Sequence, residues 1–147
     1  MTKMNTQPIF KANREATSRM KQLIQRLSDA QLASVLPNGW TVAVTLAHLA
    51  FWDQRVLHVI EMAEKDGKVV RTELDIQLND IIEPFLRAIP LVEAAKLAVS
   101  SAERLDQQLE ACSPEMIDQL EKESPRWVNR SLHRNDHLDE IEPLLKR

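Results

Sequence analysis

The chain has 147 residues, 44% hydrophobic and 28% charged, with a formal net charge of −3, a length that supports one domain, 1–147, with a buried core. Lys and Arg are scattered among carboxylates, which excludes the concentrated basic face that nucleic-acid binding needs. Two glycines and no tyrosine weigh against a sheet-rich fold.

The opening stretch MTKMNTQPIFKANREATSR has no apolar run of the kind a secretory signal carries. A lone cysteine, Cys112, allows no internal disulfide, so a cytoplasmic location is expected. The first helix is predicted over Phe10–Leu27, where Phe10, Ala16, Met20, Leu23, Ile24 and Leu27 recur at helical spacing. Ser28 and Gln31 have the spacing of a capping box that opens a short turn, and Pro37-Asn38-Gly39 breaks the chain. Thr41 is the natural N-cap of a second helix that runs to about Glu64 or Lys65 and stops at Asp66-Gly67. Its first half, VAVTLAHLAFW, is apolar nearly all round and belongs in the middle of the molecule. This run is only about half the roughly 20 residues a membrane span needs, and no membrane partner is expected.

DIQLNDIIEPFLRAI, inside residues 68–90, predicts a helical turn or two interrupted near Pro84. It lies in a long connection that would let the second and third helices run parallel. A third helix is predicted from Pro90 to about Leu109, with apolar positions at 91, 92, 95, 98, 99, 102, 105 and 109. Ser113-Pro114 reads as an N-cap and N1 pair, and a last helix is predicted from about Arg126 to Leu145. With no strand pattern, the expectation is an all-α four-helix bundle with a long crossover between helices two and three.

Two stretches carry chemistry. SLHRNDHLDEIE sets His133 and His137 four residues apart on one helical face. That stripe continues to Ile141 and Leu144 or Leu145, so the pair is expected to face inward, with Arg134, Asn135 and Asp139 elsewhere. His48 stands among Val44, Phe51 and Trp52, where an unpartnered ring nitrogen costs about 1–3 kcal/mol. Such histidines read either as satisfied core residues or as ligands sharing one metal ion, one nitrogen from each ring. Asp53 or Asp136 could orient a ligand ring or act as a base. His58, about 80° around the helix from His48, is expected half exposed and outside the site. Cys112 has no nearby histidine to activate it, and Trp40, Trp52 and Trp127 read as core or groove-lining aromatics.

NGWTVAVTLAHLAFWD is similar to the Gly-Trp-Thr-Val…Leu-Ala-His-Leu-Ala signature that opens the second helix of the DinB-like superfamily. That superfamily also includes the N-terminal domain of mycothiol-dependent maleylpyruvate isomerase. LHRNDHLDEIEPLL resembles its closing helix with His-x3-His, and LNDIIEPFLRAIPLVEA its Asn-containing crossover segment. The resemblance implies a down-up-up-down four-helix bundle, often dimeric, so a homodimer is expected. It further implies a divalent metal held by His48, His133 and His137; imidazole accepts zinc, nickel, iron or manganese alike. Thiol S-transferase chemistry on a small-molecule substrate follows, with a low-molecular-weight thiol such as mycothiol or bacillithiol as cofactor. A metal-dependent hydrolase and a non-catalytic, stress-related metal-binding bundle are the alternatives. The isomerases carry a further C-terminal domain, which this sequence, stopping at Arg147, does not include, so isomerisation is not expected. Three imidazoles leave coordination positions open for water or a thiol.

Overall fold

The computed structural model describes residues 5–71, 73 and 77–146, and their regular structure is helical apart from one isolated bridge between Val35 and Thr41. Asp75 and Ile76, which open the DIQLNDIIEPFLRAI stretch, lie outside the described residues. The first helix, α1 (Gln7–Arg26), buries Phe10, Ala16, Met20 and Leu23 on one stripe, and Asn13 and Thr17 lie on the same stripe. The Ser28 hydroxyl accepts from Gln31 N at 3.1 Å and the Gln31 side chain accepts from Ser28 N at 2.9 Å. This reciprocal capping box starts the single turn α2 (Asp29–Leu32). Thr41 caps α3 (Val42–Asp66) through Val44 N at 3.0 Å. Gly67 ends that helix at φ 76°, the left-handed conformation that a residue without Cβ adopts at no steric cost.

The connection after α3 contains α4 (Gln77–Arg87), which runs unbroken through Pro84. The expected interruption does not occur. Pro84 is exposed, so water can serve the carbonyl its ring leaves without a donor. Ile82 and Leu86, on either side of it, pack onto the α3 residues Ala43, Val44 and Ala47. Pro90 is the N-cap of α5 (Leu91–Ala111), whose stripe buries Ala95, Ala98, Ala102, Leu105 and Leu109. Val92, expected on that stripe, is instead 46% exposed. Ser113 caps α6 (Pro114–Glu123) by accepting from Met116 N at 3.1 Å.

The predicted last helix is two helices, α7 (Pro125–Val128) and α8 (Ser131–Ile141), followed by a 3₁₀ turn over Glu142–Lys146. The cause lies at the other end of the chain. Asn13 Oδ1 accepts from the backbone N–H of both Arg130 (2.8 Å) and Ser131 (3.0 Å), and Asn13 Nδ2 donates to Val128 O (2.8 Å). These groups turn toward α1 instead of continuing one helical ladder, and α8, which has no side-chain cap of its own, is capped from across the bundle.

α5 packs along α3 and α1, α1 along α8, and α8 against α3, closing a four-helix bundle. One apolar cluster holds Met20, Leu23, Leu46, Leu49, Ala98, Leu138 and Ile141. A second holds Phe10, Val56, Ile60, Leu105, Leu109, Leu120 and Trp127. Each fully buried leucine or isoleucine contributes about 2 kcal/mol through the apolar area it removes from water. Along the chain, the buried polar residues Asn13, Thr17, Asp53, Arg130 and Arg134 fall between the two clusters, and Asp106 of α5 joins them. Asn13→Ala is expected to reduce unfolding free energy by about 2–4 kcal/mol, because three buried backbone groups lose one partner at once. Urea denaturation checks this; a loss below about 1 kcal/mol would mean that α8 caps itself or uses water.

Candidate metal centre

His48 is carried by the most buried part of α3 and is 4% exposed. His133 and His137 are half-buried, one helical turn apart on α8. The most buried residues of α8 are Ser131, Arg134, Leu138 and Ile141; Arg134 and Leu138 each lie about 100° around the axis from the preceding histidine. The expectation that Arg134 lies away from the interior is therefore reversed. Arg134 is 0% exposed, and the histidines occupy the shoulder where α8 meets α3.

The three rings form a nearly equilateral set. Centroids lie 5.1 Å apart for His48–His133, 4.9 Å for His48–His137 and 5.0 Å for His133–His137, all edge-to-face. His48 Nε2 and His133 Nε2 are 3.1 Å apart. One nitrogen from each ring lies within 4.8 Å of the others, a cluster that could hold a metal ion.

The outer nitrogens have three different surroundings. His137 Nδ1 faces Glu140 Oε2 at 3.4 Å. His133 Nδ1 faces Arg130 Nη2 at 3.4 Å. His48 Nδ1 is buried and finds no hydrogen-bond partner among the described residues. A guanidinium only donates, so His133 Nδ1 accepts and His133 Nε2 carries the proton that His48 Nε2 accepts. The His48 proton is thereby left on the unpartnered Nδ1. A cation held by the three rings would take the place of that single shared proton, and the neutral nitrogen donor set fits a divalent ion.

Burial, then the charges of His137 and Arg130, lower the His48 pKa to about 3. Burial, then the neighbouring Arg130 and the other histidines, lower that of His133 to about 2. Both rings are therefore neutral at physiological pH, the form that binds metal.

Behind the rings lies a buried ionic network. Asp53 Oδ1 is 2.9 Å from Arg130, and Asp53 Oδ2 is 3.3 Å from Arg134 Nη2. Arg134 Nη1 lies 2.7 Å from Asp106 Oδ1 and donates to Thr17 Oγ1 at 3.0 Å, while the Thr17 hydroxyl donates to Asp106 Oδ2 at 2.5 Å. Two cations thus face two carboxylates with all four side chains almost fully buried, a set in which each charge depends on its partners. In front of the rings stand two half-buried indoles. Trp40 lies 4.9 Å from His48 and stacks at 6.4 Å on His137, and Trp52 lies 6.3 Å from His48. Trp52 Nε1 donates to Asn79 Oδ1 of α4 at 3.0 Å, and Trp40 packs against the same cluster as Ile82 and Leu86 of α4, so α4 supports this wall.

The structure thus brings together the three histidines singled out from the sequence. Asp53 reaches His133 only through Arg130, and Asp136 is an exposed partner of Arg126 at 3.3 Å, so neither touches a ring. His58 is exposed and outside the cluster. Cys112 is half-buried, and burial, then Glu64, raises its pKa to about 11, which keeps the thiol protonated. Trp127 is buried in the core. Arg130, Arg134, Asp106, Asn13 and Glu140 were not anticipated. The available signal was a polar residue interrupting the apolar stripe of each bundle helix.

No helix among the described residues is long and apolar enough to cross a membrane. Comparison with curated proteins and with solved structures gave no match. A model of the DinB superfamily matches residues 12–143, a span that includes all three histidines and most of the chain. The chain belongs to the DinB superfamily.

Proposed function

We propose that the chain is a divalent-metal-dependent enzyme of thiol S-transferase type, with the ion held by His48, His133 and His137. The observation that carries this reading is the convergence of three ring nitrogens within 4.8 Å, two of them on neutral, buried or half-buried imidazoles. A divalent ion supplies Lewis acidity there, lowering the pKa of a coordinated thiol or water. His48 and His133 present lone pairs that protons do not contest near neutrality. Glu140, 3.4 Å from His137 Nδ1, fixes the orientation of that ring, and the indoles of Trp40 and Trp52 shield the rings on the α3 side. Imidazole suits zinc, nickel, iron and manganese alike. On this reading the substrate is a small molecule, the cofactor a low-molecular-weight thiol, and the protein a single-domain cytoplasmic homodimer.

A second reading, hydrolysis, is favoured by Glu140, whose carboxylate is 41% exposed beside His137 and is placed to take a proton from water. Turnover assays with a panel of thiols and electrophiles, set against a panel of esters and amides, separate the two. Saturable metal binding with no turnover in either panel would leave a non-catalytic metal-binding bundle.

Elemental analysis of tag-free protein is expected to give about one divalent ion per chain, and His137→Ala to weaken metal affinity about 100-fold or more. Unchanged metal content in His137→Ala overturns the ligand set. Glu140→Gln is expected to weaken metal affinity about 10-fold, the usual effect of removing a carboxylate that orients a ligand ring; titration with a competing chelator measures it.

A further inference from the structure

A cavity of about 580 Å³ lies where the loop before α3 meets the end of α8. That is the size of a pocket for a small organic molecule. One wall is Val35, Leu36 and Pro37, the other Pro143 and Leu144, so hydrocarbon dominates both sides. The first wall is a closed turn: Leu36 N donates to Trp40 O at 2.7 Å, Gly39 N to Leu36 O at 2.9 Å, and Trp40 N to Asn38 Oδ1 at 3.0 Å. Gln31 Nε2 ties the second wall to α2 by donating to Leu144 O at 3.4 Å. A proline in each wall fixes φ. The hollow is therefore formed in advance, and a ligand entering it has little chain to order.

The charged groups of the lining are two carboxylates, Asp139 and Glu140, and among the described residues no lysine or arginine lines the cavity. Arg19, outside the cavity, holds Asp139 at 2.7 Å. Glu140 is 41% exposed, and its Oε2 faces His137 Nδ1 at 3.4 Å. An apolar hollow with one negative end matches an apolar body that carries one positive group. The body gains by leaving water, and an ammonium donates a charge-assisted hydrogen bond to the carboxylate. An acid built on the same skeleton meets a like charge there instead.

We propose that this cavity is a binding site for small apolar primary amines, in which Glu140 recognises the ammonium and Leu36, Leu144 and the two prolines seat the hydrocarbon. The site needs no metal ion. Its occupant nevertheless rests against the carboxylate that faces His137, which places an amine-bearing molecule beside the histidine centre.

The test uses 2-phenylethylamine, 2-phenylethanol and 3-phenylpropanoate, which share a skeleton and differ in charge. Each is titrated at neutral pH into the chelator-treated full chain and followed by amide chemical shifts. The amine should bind about 10-fold more tightly than the alcohol, with the acid weakest, and the shifts should centre on residues 35–38 and 139–144. In Glu140→Gln the amine should fall to the level of the alcohol, whose own binding stays unchanged. Glu61→Gln, an exposed carboxylate on α3 outside the cavity, should keep the wild-type preference. An amine preference that survives Glu140→Gln, or that Glu61→Gln removes equally, overturns the proposal, as do equal binding of amine and alcohol and shifts centred elsewhere. If Glu140→Gln does not fold, Val35→Arg, at a position 67% exposed, sets a cation in the wall and should weaken the amine about 10-fold; undiminished binding there counts against the site. No ion is present in this experiment, so its failure leaves the metal-centre reading standing.

Discussion

Arg134→Met should lower the unfolding free energy by about 3–5 kcal/mol, the range found when one partner of a buried ion pair is removed. The methionine keeps much of the arginine's apolar stem, so the loss reads charge more than volume. Asp106 would lose its 2.7 Å contact and Asp53 its 3.3 Å contact. Both carboxylates would stay buried, Asp53 keeping Arg130 and Asp106 the Thr17 hydroxyl as their partners among the described residues. For a domain of this size the loss corresponds to a melting temperature lower by roughly 10 °C. Adding Asp106→Asn in the same background should recover part of it, because a neutral amide suffers less from burial without a cation. Strict additivity of the two substitutions, or a loss below about 1 kcal/mol for Arg134→Met alone, would show that the network is not energetically coupled.

The second large effect is acid sensitivity of the metal-free protein. His48 and His133 are held neutral, with pKa values of about 3 and about 2, against about 6.5 in an unfolded chain. Above pH 6.5 neither state binds a proton at these rings, so they contribute no pH dependence. Between about pH 6.5 and 3 the unfolded chain takes up protons that the native rings refuse. Stability must then fall as pH falls, by about 1 kcal/mol per pH unit for each ring. Chemical denaturation at pH 7, 6, 5 and 4 measures the slope, and His48→Gln, which does not titrate, should flatten it by about half. A slope unaffected by that substitution would mean that the ring accepts its proton in the native state. Saturating zinc at about 100 times its dissociation constant should raise stability by about 3 kcal/mol at neutral pH, and this increment should shrink on acidification as protons compete for the same nitrogens.

Much of this architecture can be read from residue order. Thr41, Gly67, the Ser28–Gln31 pair and Ser113 each act locally, through hydrogen bonds spanning a few residues, and each marks a helix end where expected. The three histidines were legible for a related reason: four-residue spacing fixes a shared face, and an apolar run fixes depth. The break before α8 was not legible. Its cause, Asn13, lies more than 100 residues away and looks like an ordinary polar residue on α1. The burial of Arg134 escaped notice for the same reason, since an arginine goes to the centre of a bundle only when carboxylates from two other helices meet it. Pro84 misled in the opposite direction. A proline weakens a helix by a fixed local amount, whereas packing of Ile82 and Leu86 against α3 is tertiary and outweighs it.

The clasp between Asn13 and the turn before α8 joins positions 115 residues apart. A chain emerging from the ribosome can assemble α1, α3 and α5 early, but its C-terminal histidine pair has no fixed seat until this clasp closes. On the proposed metal-centre reading, ion capture is therefore a late event in biogenesis. A nascent chain arrested short of residue 133 would present only one of the three imidazoles, so on the proposed metal-centre reading the centre matures only once the bundle is complete.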